Sequence, residues 1–120
     1  MSGSAMMFGP LNAHYGLFLP AVLGNASEAQ VGAWVPKILT VQLVGAYAQT
    51  ELGHGSNVRG LRTTATFDPE TDEWVLETPT LTSMKFWPSN LGRSATHCTL
   101  YAQLITRGKA HGVHVFWLQV

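Results

Sequence analysis

The periodicity of the apolar residues changes once along the chain, near Thr40, and that change fixes what the sequence can fold into. Before it, Val31, Trp34, Val35 and Ile38 fall at i, i+3, i+4 and i+7 on one face, behind a Ser27/Gln30 capping-box pattern. This spacing predicts a helix from Glu28 to Leu39 with Trp34 packed inward. An earlier helix is expected over Leu11 to Leu23, where Pro20, lacking an N–H, limits or kinks the last turn. After Thr40, β-branched and aromatic runs alternate with Gly, Pro, Asn and Asp, as short antiparallel strands with turns require. The expected strands are Val41–Gln49, Val58–Phe67, Glu73–Glu77, Leu81–Phe86, Cys98–Thr106 and Val113–Gln119. Asp68, Pro69 and Asp72 supply the turn of a hairpin between the second and third. Two helices followed by strands make an α+β chain, with an antiparallel barrel or sandwich left incomplete at the C-terminus. VHVFWLQV ends the sequence on an apolar strand with no polar residue after it, so the chain reads as cut short there, and Met1 reads equally well as an internal methionine.

Charge and composition remove several classes of function. Lys plus Arg and Asp plus Glu both total 7, so the formal net charge is zero and no basic stripe exists to follow a nucleic-acid backbone. Cys98 is the sole cysteine, which excludes an internal disulfide and a zinc framework. The opening stretch lacks a positive n-region, and Asn12, His14 and several glycines interrupt its apolar residues well short of the roughly 20 needed to span a membrane. A soluble chain with one modest core is expected.

The densest polar cluster in an apolar setting is Gln49, Thr50, Glu51, His54, Ser56 and Asn57, threaded by Gly53 and Gly55. Two readings fit it. Glycines let a backbone approach a bound group, and the amide and hydroxyl donors of Gln49, Thr50 and Ser56 suit carbonyl, ring-nitrogen or phosphate acceptors. The same residues also make an ordinary strand-ending turn whose side chains satisfy local backbone groups, and composition alone favours the turn. Elsewhere, His111 and His114 stand at i, i+3, on opposite faces of a strand, which argues against a metal site. His14 and His97 are expected to be packed or hydrogen-bonded, and Cys98 to be a small buried side chain. Asp68, Glu70, Asp72 and Glu73 are expected to be solvated on the hairpin turn.

YAQTELGHGSN (Tyr47–Asn57), the FDPETDEW hairpin and KFWPSNLG (Lys85–Gly92) together resemble the acyl-CoA oxidases. The flavin-contacting segment of that family reads YAQTE-x-GHG and is followed by the same hairpin and a K-W-W-P-G-G-L-G turn. The likeness runs from HYGLFLPAVLGN to HGVHVF, and the acyl-CoA dehydrogenases share the looser T-E-x-G-x-G-S. The resemblance implies a helical N-terminal domain, a middle β-domain and a helical C-terminal domain, with FAD held between the last two. Residues 1–40 would be the end of the first and 41–120 most of the second. It implies that Thr50 hydrogen-bonds the flavin ring and that Trp87, Pro88 and Ser89 lie against the isoalloxazine. Gln49 becomes a neighbour of the flavin, and Ser56 a contact of the substrate.

The chemistry so implied is α,β-dehydrogenation of a fatty acyl-CoA to the trans-2-enoyl-CoA, with O2 reduced to H2O2, in the peroxisome. The catalytic carboxylate of the family is a Glu of the C-terminal helical domain, to which no carboxylate here corresponds, so the chain alone is expected not to turn over. Glu51 has a structural or orienting role in this reading. The resemblance also implies a homodimer. The sequence lacks an S-K-L type C-terminal address. Ser89 departs from the family: oxidases have Gly there and dehydrogenases a Thr, which leaves open a dehydrogenase that passes electrons to a flavoprotein. A catalytically silent flavin-binding or partner-binding fragment is the other alternative.

Overall fold

The computed structural model describes residues 10–120. The first part of the opening stretch, residues 1–9, read above as lacking a leader, lies outside them. Two compact units divide the described chain: one comprises the residues up to Tyr47 with Pro88–Thr99 and Trp117–Val120, the other Ala48–Trp87 with Leu100–Phe116.

In the first unit the expected early helix runs farther than predicted, as α1 (Pro10–Ala13), a wide π turn (His14–Phe18) and α2 (Leu19–Asn25). Pro20 does not end it. Proline at that position has no N–H to give and would press its ring on the Gly16 carbonyl in a regular α-helix. The chain widens instead, and the Leu19 N–H bonds to His14 O, five residues back. α3 spans Glu28–Leu39, as its periodicity requires, and both halves of the Ser27/Gln30 capping box form.

The predicted apolar face is the buried one. Ile38 is fully enclosed with Phe18, Val22 and Leu43, and Trp34 and Val35 pack against this core beside Trp117. The Trp34 and Trp117 rings stack at 4.1 Å. Gly45 closes on the same core so tightly that a Cβ there would run into the Phe18 ring.

The expected strand from Val41 starts four residues late, at Gly45, because Val41 terminates α3. Its φ is +56°, its N–H bonds to Ile38 O, and the Gln42 N–H bonds to Lys37 O. These two bonds form a Schellman cap with a valine where glycine is usual, at a backbone cost of about 1–2 kcal/mol.

The strands are β1 (Gly45–Ala48), β2 (Thr64–Asp68), β3 (Glu73–Glu77), β4 (His97–Thr106) and β5 (Lys109–Gln119). Their order is β1-β4-β2-β3, with β5 also against β4. The sheet is open and mixed, which corrects the expected antiparallel barrel or sandwich: β2 and β4 pair in parallel, Thr64 opposite Gln103 and Thr66 opposite Ile105. Nineteen residues separate β3 from β4 (78–96). A connection of that length can bring a chain back in either direction, whereas a hairpin enforces antiparallel pairing. The β2–β3 hairpin forms in the register Thr64↔Glu77 to Asp68↔Glu73, with the Asp68 carboxylate accepting from the Glu70 N–H.

Two other predicted strands fail in part. Val58–Gly60 is a 3-10 turn capped by the Asn57 side chain, so β2 begins at Thr64. Leu81–Ser83 is likewise a 3-10 turn, closed by reciprocal bonds between Thr80 and Ser83. β4 and β5 join through only Arg107 and Gly108, both at positive φ, a type I′ hairpin. Among the described residues no helix is long and apolar enough to cross a membrane.

Candidate functional site

Within the second unit, the motif after β1 is held by a short antiparallel ladder. Phe86 N–H donates to Thr50 O at 2.9 Å, Leu52 N–H to Met84 O at 2.8 Å, and Gly53 N–H to Thr82 O at 2.8 Å. Lys85 reinforces it, its Nζ donating to Gln49 O at 2.8 Å and standing 3.6 Å from the Glu51 carboxylate. Gln49 and Thr50 thereby lie beside Lys85 and Phe86, more than thirty residues away in sequence. Gly53 is needed for contact with this partner segment: a Cβ would stand 2.9 Å from Thr82 Cβ. Its close approach is to protein. Gly55 lies by Thr50, where a Cβ would be 3.7 Å from Thr50 Cγ2.

Glu51 is buried and fully engaged. Its carboxylate accepts from the N–H groups of Arg62 and Thr63 and from the Thr63 hydroxyl, at 2.8–3.0 Å. Burial alone would raise its pKa, but the Thr63 and Arg62 donors and the Lys85 charge outweigh burial and hold the carboxyl below its ordinary value. A carboxylate so occupied is an anchor, not a proton acceptor. His54 is also spent locally: its Nδ1 accepts from the N–H groups of Ser56 and Asn57, which places the ring proton on Nε2. Ser56 sits exposed in this loop.

The ladder delivers Trp87 at its end with the indole 74% exposed and Phe86 beside it at 5.2 Å. Trp87 has a φ of +43°. Pro88 and Ser89 follow directly in the chain and belong to the first unit. Ser89 takes a φ of +58°, a conformation that glycine adopts freely and serine at a cost, and it is exposed. Asn90 caps the turn behind it: its carbonyl accepts from the Arg93, Ser94 and Ala95 N–H groups and its Nδ2 donates to Ser94 Oγ at 2.7 Å.

The structure therefore brings Gln49 and Thr50 beside Lys85 and Phe86, with Trp87 next in the chain, keeps Ser56 on an exposed loop, and gives Trp87 and Ser89 positive φ on either side of Pro88. Thr63 and Ser83, which help hold the loop, were not singled out from the sequence, and Lys85 was singled out only as part of the KFWPSNLG motif. The signal for Ser83 was its spacing from Thr80. The remaining candidates are structural. Cys98 is buried, His97 lies over Trp117 at 5.0 Å, and His111 and His114 bond to Thr106 Oγ1 and Gly112 O.

No family model matches the chain, but individual proteins do. It is 54% identical over 107 residues to peroxisomal acyl-coenzyme A oxidase 1 of Arabidopsis thaliana and 48% identical over 107 residues to that of Homo sapiens, in each case 89% of this chain. Among solved structures it superposes on Arabidopsis thaliana acyl-CoA oxidase 1 with a TM-score of 0.88 at 52% identity, covering 92% of this chain. On Caenorhabditis elegans acyl-CoA oxidase-1 complexed with FAD and ATP, the TM-score is 0.87 at 41% identity over the same share. The chain belongs to the acyl-CoA oxidase family. It spans about a sixth of the length of the curated relatives it matches, 16% in both cases.

Proposed function

We propose that this chain forms the flavin-binding middle of an acyl-CoA oxidase, with residues 1–40 closing a helical domain and 41–120 contributing the β-domain. The observation that carries this reading is the ladder that sets Thr50 beside Phe86 and leaves the Trp87 indole open to a flat ring. The donor set fits FAD: an isoalloxazine could lie on the Trp87–Pro88–Ser89 turn and accept hydrogen bonds from Thr50, with Gln49 adjacent. When bound, FAD would supply hydride acceptance from the β-carbon of a fatty acyl-CoA and electron transfer to O2, giving the trans-2-enoyl-CoA and H2O2. The chain's own residues hold and shield the ring, and Ser56 contacts the thioester ligand. Removal of the α-proton is assigned to the C-terminal-domain Glu of the family, since Glu51 is occupied by Arg62, Thr63 and Lys85. Peroxisomal location and a homodimer belong to the same reading.

Titration with FAD tests it directly. An indole stacked on the isoalloxazine quenches flavin fluorescence, so addition of the chain should quench it, and Trp87→Ala should remove most of the quenching. Unchanged quenching in Trp87→Ala would sink the assignment of this turn.

Ser89 favours a second reading, a dehydrogenase, because its hydroxyl stands where the oxidases carry only glycine. In a full-length protein carrying this segment, Ser89→Gly should speed reoxidation by O2 if the hydroxyl reaches flavin N5. Equal reoxidation rates in the two proteins would discard that role.

A further inference from the structure

We propose that Lys85 is a positioning residue for the flavin site: its buried pair with Glu51 decides which face of the ladder after β1 turns inward, and so turns Thr50 outward. What Thr50 does there rests on the flavin reading above; how it is held rests on the chain's own geometry. The ladder is inside out. Glu51 stands opposite Lys85 in antiparallel pairing, and their side chains are enclosed, 5% and 8% exposed. Thr63 and Ser83 are buried with them, the Thr63 hydroxyl reaching both Glu51 and Ser83 O. The apolar residues Leu52, Met84 and Phe86, by contrast, are 43–46% exposed.

Hydrophobicity alone asks for the reverse, with Leu52, Met84 and Phe86 buried and the two charges in water. Side chains alternate along an extended pair, so a slip of one residue in either segment would exchange the faces. The inner polar set opposes that slip. Lys85 Nζ donates to Gln49 O at 2.8 Å and lies 3.6 Å from the Glu51 carboxylate, which also accepts from the Arg62 and Thr63 N–H groups. Turned outward, the carboxylate would leave those donors without their acceptor. Fixing one register against another is the best-attested use of a buried polar pair.

With Glu51 facing in, alternation sets its neighbour Thr50 on the outer side, the side that carries Phe86. Thr50 O accepts from the Phe86 N–H at 2.9 Å and Gln49 O from Lys85, so the peptide groups before and after Thr50 are both fixed. A threonine held in this way offers its hydroxyl to a flat ring with little backbone freedom left to lose.

Lys85→Met in the 120-residue chain tests it, because methionine keeps an apolar stem and removes the charge and the donor, while Glu51 keeps Arg62 and Thr63. Amide exchange is read at Leu52, Gly53 and Phe86, whose N–H groups close the ladder, with the β2–β3 hairpin of the same unit as internal reference. The ladder amides should exchange roughly tenfold faster or more while the hairpin amides hold their rates. Half-quenching of FAD should then take roughly tenfold more chain. If Lys85→Met does not fold, Lys85→Gln, which retains a donor for Gln49 O, carries both measurements with the same directions expected. Unchanged ladder exchange in the folded variant overturns the proposal. Faster ladder exchange with undiminished quenching overturns it as well, since Thr50 would then not depend on the pair. Absence of quenching in the parent chain removes the flavin reading instead, and the exchange rates alone decide whether the pair sets the register.

Discussion

Replacing Glu51 by alanine is expected to destabilise the chain by about 3–5 kcal/mol, the scale measured when one member of a buried ion pair is removed. Two backbone N–H groups, a hydroxyl and the Lys85 ammonium would lose their common acceptor at once. The two N–H groups would cost about 1–3 kcal/mol each if left unpaired, while Lys85 keeps Gln49 O and the Thr63 hydroxyl keeps Ser83 O. Glu51→Gln separates shape from charge. Its carbonyl oxygen can replace Oε1, which receives Arg62 N–H and both Thr63 donors, but its amide must then face the Arg62 N–H and cannot neutralise Lys85. The glutamine should therefore lose less than the alanine and still fall below the parent, as read from chemical-denaturation midpoints.

Acid should reproduce part of this loss. The folded chain holds the Glu51 carboxyl below its ordinary value of 4.5, so the unfolded chain binds the proton more readily. The contribution is whole above 4.5 and drains away as pH falls through the depressed folded value. Glu51→Gln should flatten that acid limb, and an identical limb in the variant would show that other carboxylates produce it.

How much of this was legible in the sequence depended on whether the cause was local. α3 and its cap were readable because periodicity and a capping box are short-range signals, and the β2–β3 hairpin because Asp68, Pro69 and Asp72 name their own turn. The parallel β2–β4 pairing was not readable, since nothing near either strand encodes which distant strand it will meet. Leu81–Phe86 misled for the opposite reason: apolar residues in a β-rich context suggested a strand, but Thr80 and Ser83 offer side-chain bonds that favour a 3-10 turn.

The candidate site divides in the same way. Its conserved-looking letters were evident from the family likeness, but whether each letter serves a ligand or the protein was not. His54, Asn57, Gly53 and Glu51 turn out to build the loop. Gln49 and Thr50 are held beside Lys85 and Phe86 through their backbone carbonyls. Ser89 gains meaning only from its backbone: at φ +58° it occupies a conformation suited to the glycine of its relatives.

Substituting His14 should match Glu51 in effect, at about 3–5 kcal/mol for alanine. The imidazole is fully buried and bridges two backbone groups: its Nδ1 accepts from the Gly45 N–H at 2.9 Å, so Nε2 carries the proton and donates to Ile38 O at 2.8 Å. One side chain thus ties the π turn to the end of α3 and the start of β1. The turn itself follows from Pro20, so a proline six residues on is part of what presents this ring.

Alanine would orphan both backbone groups and open a hole beside Phe18, whose ring lies 5.9 Å from the imidazole. Phenylalanine isolates the polar part of the loss, because it refills the space and restores neither hydrogen bond. Two unpaired buried groups at about 1–3 kcal/mol each put the remaining loss at about 2–6 kcal/mol, so much of the alanine effect should persist. If denaturation shows the His14→Phe chain as stable as the parent, the bridge contributes nothing and the site is held by packing alone. If instead phenylalanine loses most of what alanine loses, the hydrogen bonds seat β1, and through β1 the strand end from which Gln49 and Thr50 emerge.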